Sequence, residues 1–307
     1  MKKVLIVHYS QTGQLSDIVE AIAAPVRASA EVSVDSVVIR PTTAYPFPWP
    51  FWRFFNTFPE TVYEQTDPIE PPAIPSDAEY DLVILAYQVW FLSPSLPTVA
   101  FLETDAAKRV LKDKPVITVI GCRNMWLMAQ EVMKEKLKAL GARLIDNVVL
   151  TDSAHSAFTF VSTPVWMLTG KRGPFLNGLI PAAGILPHDI AACARFGEAI
   201  ADQLPNRPAG ADNPMLAGLG AVKVNKDLID SEKIAKRSFK LWGGLLRAVG
   251  PPSSFFRQIV MALYVVFLIV LILTVVPLTA ILKKLLSPLT RATVARQRAY
   301  FAAPSGE

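Results

Sequence analysis

Short apolar runs alternate along this chain with longer stretches in which apolar residues recur every three or four positions. Residues 4–9 form a β-branched apolar run of strand length. Residues 15–30 follow, with Leu15, Ile18, Val19, Ile22 and Val26 on one helical face. Residues 32–39, 82–87, 116–121 and 144–150 read as further strands. Residues 125–140 predict a helix closed by Gly141, where a left-handed cap belongs, and 189–204 predict a last helix. Strands alternating with helices imply a parallel sheet covered on both faces. The expected fold is therefore α/β, a doubly wound five-stranded parallel sheet over residues 1–204, with no internal repeat.

Two apolar insertions interrupt the alternation. Residues 41–75 are dense in proline and aromatics, and 152–187 contain AFTFVSTPVWMLTGKRG. Connections this long carry function, form a lid, or add core packing. A further pattern starts near the C-terminus, where residues 259–282 run without a charge. As a helix they would span about 36 Å, enough for the hydrocarbon core of a bilayer. The expectation is a membrane helix over 259–282, kinked at Pro277. Residues 205–258 are expected to be a linker that becomes an amphipathic basic approach to the membrane, and 283–307 a basic tail. Lys236, Arg237, Lys240, Arg247 and Arg257 precede the run; Lys283, Lys284, Arg291, Arg296 and Arg298 follow it. Positive charge on both sides leaves three topologies open: spanning, re-entrant, or held within one leaflet.

Composition narrows the class. The 307 residues are 51% hydrophobic with a net charge of +5, and the basic residues crowd beside the apolar run, which favours lipid over nucleic acid as partner. Two cysteines without framework spacing fit a reducing compartment. The apolar run behind Lys2 and Lys3 is too short for a secretory signal. The globular part is thus expected on the cytoplasmic side of the inner membrane.

Candidate chemistry begins at VLIVHYSQTGQLS, residues 4–16. Ser10, Thr12 and Ser16 offer hydroxyls, Gly13 permits close approach, and a following helix would aim its N–H groups at the same spot. Neither GxxxxGK[ST] nor GxGxxG occurs here, so the turn suits a terminal monophosphate rather than a triphosphate or dinucleotide. Simple capping of the helix by Ser10 or Thr12 is the alternative. Ligands of such sheets sit at the carboxyl ends of the strands. There AYQVWFLSPSLP supplies Trp90 and Phe91, while GCRNMW supplies Gly121, Arg123, Asn124 and Trp126. A phosphate cradle beside two aromatic loops describes a site for flavin mononucleotide (FMN). No metal-ligand spacing and no GxSxG elbow appear.

These residues resemble the flavodoxin-like family, whose phosphate loop reads [ST]-x-T-G-x-[ST]; here Leu15 stands where a hydroxyl is usual. The resemblance implies that Ser10, Gln11, Thr12, Gly13, Gln14 and Leu15 wrap the phosphate of FMN. It places Gln88, Val89, Trp90, Phe91 and Leu92, with Gly121, Cys122, Arg123 and Asn124, around the isoalloxazine. More narrowly, FPWPFWRFF…FPETVY, VIGCRNMW and FVSTPVWMLTGKR resemble the flavodoxin-like proteins of dialkylresorcinol biosynthesis, described as condensing enzymes or aromatases working beside a ketosynthase. That resemblance implies oxidation of a long-chain 2,5-dialkylcyclohexane-1,3-dione to a resorcinol. The reaction needs a base and an enolate donor. His155, near Asp152, is the candidate base, and Arg123 the candidate donor. His8 is expected to be packed, His188 solvated, and Lys171 and Arg172 directed at lipid phosphates. Phe47, Trp49, Trp52 and Phe55, with residues 157–168, are expected to wall a tunnel for the alkyl chains. Expected partners are a hydrophobic small molecule and membrane lipid, with a ketosynthase and a second copy of the chain left open. A membrane quinone reductase or electron carrier, and a scaffold without flavin, are the other classes.

Overall fold

The computed structural model describes residues 1–152, 154 and 156–306. β1 (Lys2–His8) has Val4 to Val7 fully buried, as a strand covered on both faces requires. α1 (Gln14–Ala28) buries the five predicted apolar positions. β2 (Val32–Val38), β3 (Leu82–Trp90), β5 (Pro115–Cys122) and β6 (Arg143–Thr151) complete a parallel sheet, while the two-residue β4 (Ser93–Pro94) folds back antiparallel on β3. The parallel order β2-β1-β3-β5-β6 is that of the flavodoxin-like fold, whose switch point lies between β1 and β3.

Each face of the sheet has its own core. On one side α1 and α8 (Ala194–Gln203) bury Leu15, Ile22, Phe196 and Ile200 against β1, β3, β5 and β6. On the other, α3 (Leu96–Glu103), α4 (Asp105–Leu111) and α5 (Leu127–Ala139) bury Phe101, Val110, Met133 and Leu137. α5 ends as expected: Gly141 sits at φ 72°, and the Ala142 N–H donates to the Leu137 carbonyl.

Both insertions and the last helix of the sheet differ from the sequence expectation. The first insertion is not a loop, because 51–62 coil into α2 (Phe51–Val62). Its prolines hide the helix in the sequence, yet Pro50 stands just before it, where a missing N–H costs nothing. α2 buries Phe58 and Val62 against α9 (Ile229–Val249) and the start of α10 (Phe255–Ala302). The second insertion contains α6 (Ser156–Thr169). The last helix of the sheet breaks into α7 (Pro187–Ala191) and α8, with the Arg195 side chain donating to the Ala192 carbonyl across the break.

Residues 205–228 pack rather than link. Met215, Leu216, Ala221 and Val222 are buried, and the Val149 N–H of β6 donates to the Ala221 carbonyl, so the segment covers the sheet edge. Asp146, fully buried, accepts from the Met215 and Leu216 N–H groups and from the Ser305 hydroxyl. Ser305 also accepts from the Asn147 N–H at 2.7 Å. The expected basic tail therefore ends inside the body, beside buried Phe301 and Ala302.

Candidate functional site

The loop between β1 and α1 is held open by its neighbours. The Gln11 N–H donates to Gln88 Oε1 at 3.2 Å, while the Gln11 amide donates to the Pro46 carbonyl and accepts from Trp49 Nε1 at 3.1 Å. Gln14 exchanges two hydrogen bonds with the backbone of Ile185. Both insertions thus brace the loop without filling it. Gly13 stands at φ 88°, and a Cβ there would meet nothing within 4 Å. The simple capping alternative is absent: no side chain caps α1. The Ser10 hydroxyl is buried and has no hydrogen-bond partner among the described residues. A buried hydroxyl without a partner beside an uncapped helix N-terminus fits an anion with acceptor oxygens, such as a phosphate monoester.

Leu15 departs from the family pattern. Its side chain is buried, packed where a Cβ on Gly121 would meet it at 3.3 Å. Ser16 is engaged with buried His8, Nε2 to Oγ 3.2 Å, and burial pushes the imidazole pKa down. His188 is exposed, as expected.

The end of β3 behaves differently from the expectation. Gln88 and Val89 reach the edge, but the chain then makes a two-residue hairpin in which Phe91 and Leu92 both take positive φ, 47° and 60°. Such hairpins ordinarily demand glycine or asparagine. Here buried contacts impose the turn: Phe91 packs on Phe54 and Phe58, and Lys236 Nζ donates to the Leu92 carbonyl and to Ser93 Oγ. Burial pushes the Lys236 ammonium down to about 8. Trp90 is surrounded by Tyr9, Tyr45 and Trp49 at ring separations of 5.0–5.9 Å. These rings pack edge to face and extend the core, so Trp90, Phe91 and Leu92 offer no open stacking face.

Gly121 and Cys122 close β5, and Arg123 and Asn124 lie on the turn into α5. Arg123 Nε donates to Thr159 Oγ1 at 2.8 Å, and its guanidinium lies 4.1 Å from the Phe160 ring centre. Burial pulls its pKa down to about 10, against the opposing pull of Asp152, so it stays charged at neutral pH. Burial pushes the Cys122 thiol up. Asp152 accepts from the Gly184 N–H at 2.7 Å and from the Ala154 N–H at 2.9 Å. With both carboxylate oxygens engaged, it fixes the second insertion over the loop. His155, the candidate base, lies outside the described residues.

Two further residues have partners that the sequence does not record. Arg172, expected at lipid, donates to the Ala183 and Ile185 carbonyls. A Cβ on Gly184 would meet both its Nη2 and the Gln14 amide, so the guanidinium stands at the lip of the β1–α1 loop. Glu232 of α9, fully buried, accepts from the Met128 N–H at 3.1 Å at the start of α5. Nothing local in the sequence ties it to a helix a hundred residues earlier. Burial pushes its carboxyl up to about 8, partly opposed by the N–H groups of Met128, Leu127 and Trp126. The folded state thus retains a proton that the unfolded chain has released. This contribution to stability is complete below about pH 4.5 and is lost as pH rises through 8. Glu232→Gln should flatten the fall in melting temperature between pH 5 and 9. A variant that melts in parallel with the wild type across that range would show that the carboxyl ionises freely.

The expected tunnel does not form from the residues named for it. Trp49 is buried, Phe47 stacks edge-on to Trp166, Phe55 joins the α2–α9–α10 cluster, and Trp52 is exposed. Phe47 and Trp49 precede α2, so only Trp52 and Phe55 share the helix and the four rings do not line one wall.

No protein-family model matches the chain, and no curated protein matches it. Among solved structures, a flavoprotein in complex with FMN from Lactobacillus acidophilus NCFM is 16% identical, with TM-score 0.40, covering 48% of this chain and 93% of its own. Oxidised flavodoxin 1 from Bacillus cereus is 16% identical, with TM-score 0.35, covering 66% and 99%. A flavodoxin, WrbA-like protein from Agrobacterium tumefaciens is 10% identical, with TM-score 0.34, covering 67% and 98%. Similarity at this level decides nothing about chemistry; the strand order carries the fold.

Proposed function

We propose that this chain is an FMN-dependent oxidoreductase held at the inner membrane, its body on the cytoplasmic side, that oxidises a long-chain dialkylcyclohexanedione to a dialkylresorcinol. The observation that carries the cofactor is the open β1–α1 loop, with α1 uncapped and the Ser10 hydroxyl unsatisfied. Ser10, Thr12 and the N–H groups of 11–15 would hold the phosphate, with Arg172 at the lip. Gln88, Val89 and the 121–124 turn would border the ring. Bound there, FMN supplies a two-electron acceptor. Aromatisation of the dione removes two electrons and two protons, so the enzyme must stabilise an enolate. Arg123, charged and locked onto Thr159, offers a fixed positive group for that oxygen. The base is assigned to His155 on sequence grounds alone.

A lipid-soluble substrate is supported by the apolar packing that links the end of β3 to α10. Ring contacts run from Trp90 to Trp49, Phe54, Phe91, Phe58 and Tyr264, the last on α10. A ketosynthase that builds the dione is the partner the resemblance implies. Protein purified in detergent should carry FMN and oxidise diones with KM falling about fourfold per added methylene, the factor expected for about 0.8 kcal/mol. If the wild type converts no dione yet reduces quinones with a nicotinamide donor, the aromatase assignment falls and a quinone reductase replaces it.

A further inference from the structure

Both ends of α10 are fastened to the same body. At its start, fully buried Arg257 pairs with Glu60 of α2 at 2.8 Å, and Met261 and Tyr264 are buried against α2 and α9. At its end, Tyr300 Oη donates to Glu131 of α5 at 2.7 Å, Phe301 is buried, and Ser305 is locked onto β6.

α9 provides a ruler between the two ends. The Phe267 ring lies 5.1 Å from Trp242, and Lys233 Nζ lies 5.8 Å from the Phe301 ring. Lys233 and Trp242 are about 13.5 Å apart along α9. With every side chain at full reach, Phe267 and Phe301 are at most about 43 Å apart. A straight helix between them would measure about 51 Å. The axis therefore turns between the two, and Pro277, which lacks the N–H that a continuous ladder needs, lies on the way.

The two legs have opposite chemistry. The outgoing leg exposes Leu263 at 60%, Leu273 at 70% and Leu278 at 66%, a surface that water does not sustain. The stretch that leads back to the body carries Arg291, Arg296 and Arg298, which hydrocarbon does not accept. α9 presents Ile234, Leu241 and Leu245 outward, with Arg237 and Lys240 beside them.

We propose that α10 does not span a bilayer: its apolar leg lies within one leaflet of an anionic membrane, and the chain end returns to the side that holds the body. The basic returning leg and α9 then meet anionic headgroups of that same leaflet. This topology rests on the membrane assignment above and adds to it where the C-terminus must be.

Full-length protein carrying either Ala303→Cys or Glu31→Cys, both at exposed positions, tests it. Each variant is mixed with sealed vesicles of phosphatidylcholine and phosphatidylglycerol and floated, with wild type correcting for the native thiols. It is then labelled with a membrane-impermeant maleimide before and after detergent. The expected result is flotation that rises about tenfold from neutral to anionic vesicles, with both cysteines labelled to the same extent before detergent. Flotation with Ala303→Cys protected and Glu31→Cys labelled would mean a spanning helix and overturn the topology alone. Failure to float on any vesicle would overturn the membrane assignment and this topology together. Equal flotation on neutral vesicles would overturn the anionic leaflet.

Discussion

Gly13→Glu is expected to yield a folded but colourless protein, with FMN affinity at least about 100-fold below wild type. Two effects act together. At φ 88° an L-residue is strained by about 1–2 kcal/mol. The new carboxylate would also enter the space left for the phosphate, where two anions in a shared cradle repel by more than exposed charges do. Folding should survive, because a carboxylate at the start of α1 is welcomed by the helix dipole and supplies the cap that α1 lacks. Gly13→Ala separates the effects: it carries the strain without the charge and should retain most of the flavin. Flavin content measured by absorbance, with circular dichroism as the control for folding, checks both. Full occupancy in Gly13→Glu would show that this loop is structural and that any phosphate lies elsewhere.

Asp146→Ala should cost about 3–5 kcal/mol of stability, the range for groups left buried when a charged hydrogen-bond partner is removed. The carboxylate joins three separate pieces of chain: β6 itself, the covering segment at Met215 and Leu216, and the tail at Ser305. Without it, two backbone N–H groups remain buried without acceptors, while the Ser305 hydroxyl keeps only the Asn147 carbonyl. Ser305→Ala removes the tail's contact and the acceptor of the Asn147 N–H, and should cost about 1–3 kcal/mol, less than Asp146→Ala. Thermal unfolding in detergent, with the two variants compared, tests the assignment. Equal small losses in both would reduce Asp146 to a bystander. The same clamp bears on truncation: removing the C-terminal residues to obtain a soluble body also removes Phe301 and Ser305 from the core.

The sheet was legible in the sequence because buried parallel strands are short and uniformly apolar, and residues 4–9 or 116–121 admit little else. The strand, loop and helix over residues 2–28 were legible for the same local reason, since strand, hydroxyl turn and amphipathic helix are adjacent in the chain. Phe91 and Leu92 were misplaced because a strand end predicts a loop at the ligand edge. Only packing from α2 and α9 reveals that they turn away in a hairpin. Glu232, Arg172 and the Asp146–Ser305 clamp depend on partners far along the chain, and no periodicity records such pairings. α2 was hidden by its own prolines, which a reading by propensity counts against a helix although Pro50 precedes it.

α9 touches both surfaces that matter. Its Glu232 holds the start of α5, beside the 121–124 turn, while its Trp242 stacks on Tyr264 and Phe267 of α10 and its outer face is apolar. If flavin and lipid bind as proposed, α9 connects the elements that would meet them. Thermodynamic linkage then makes a demand that neither ligand can evade. Whatever factor a bilayer imposes on the dissociation constant of the flavin must reappear, unchanged, in the partition of the protein between water and membrane when the flavin is added.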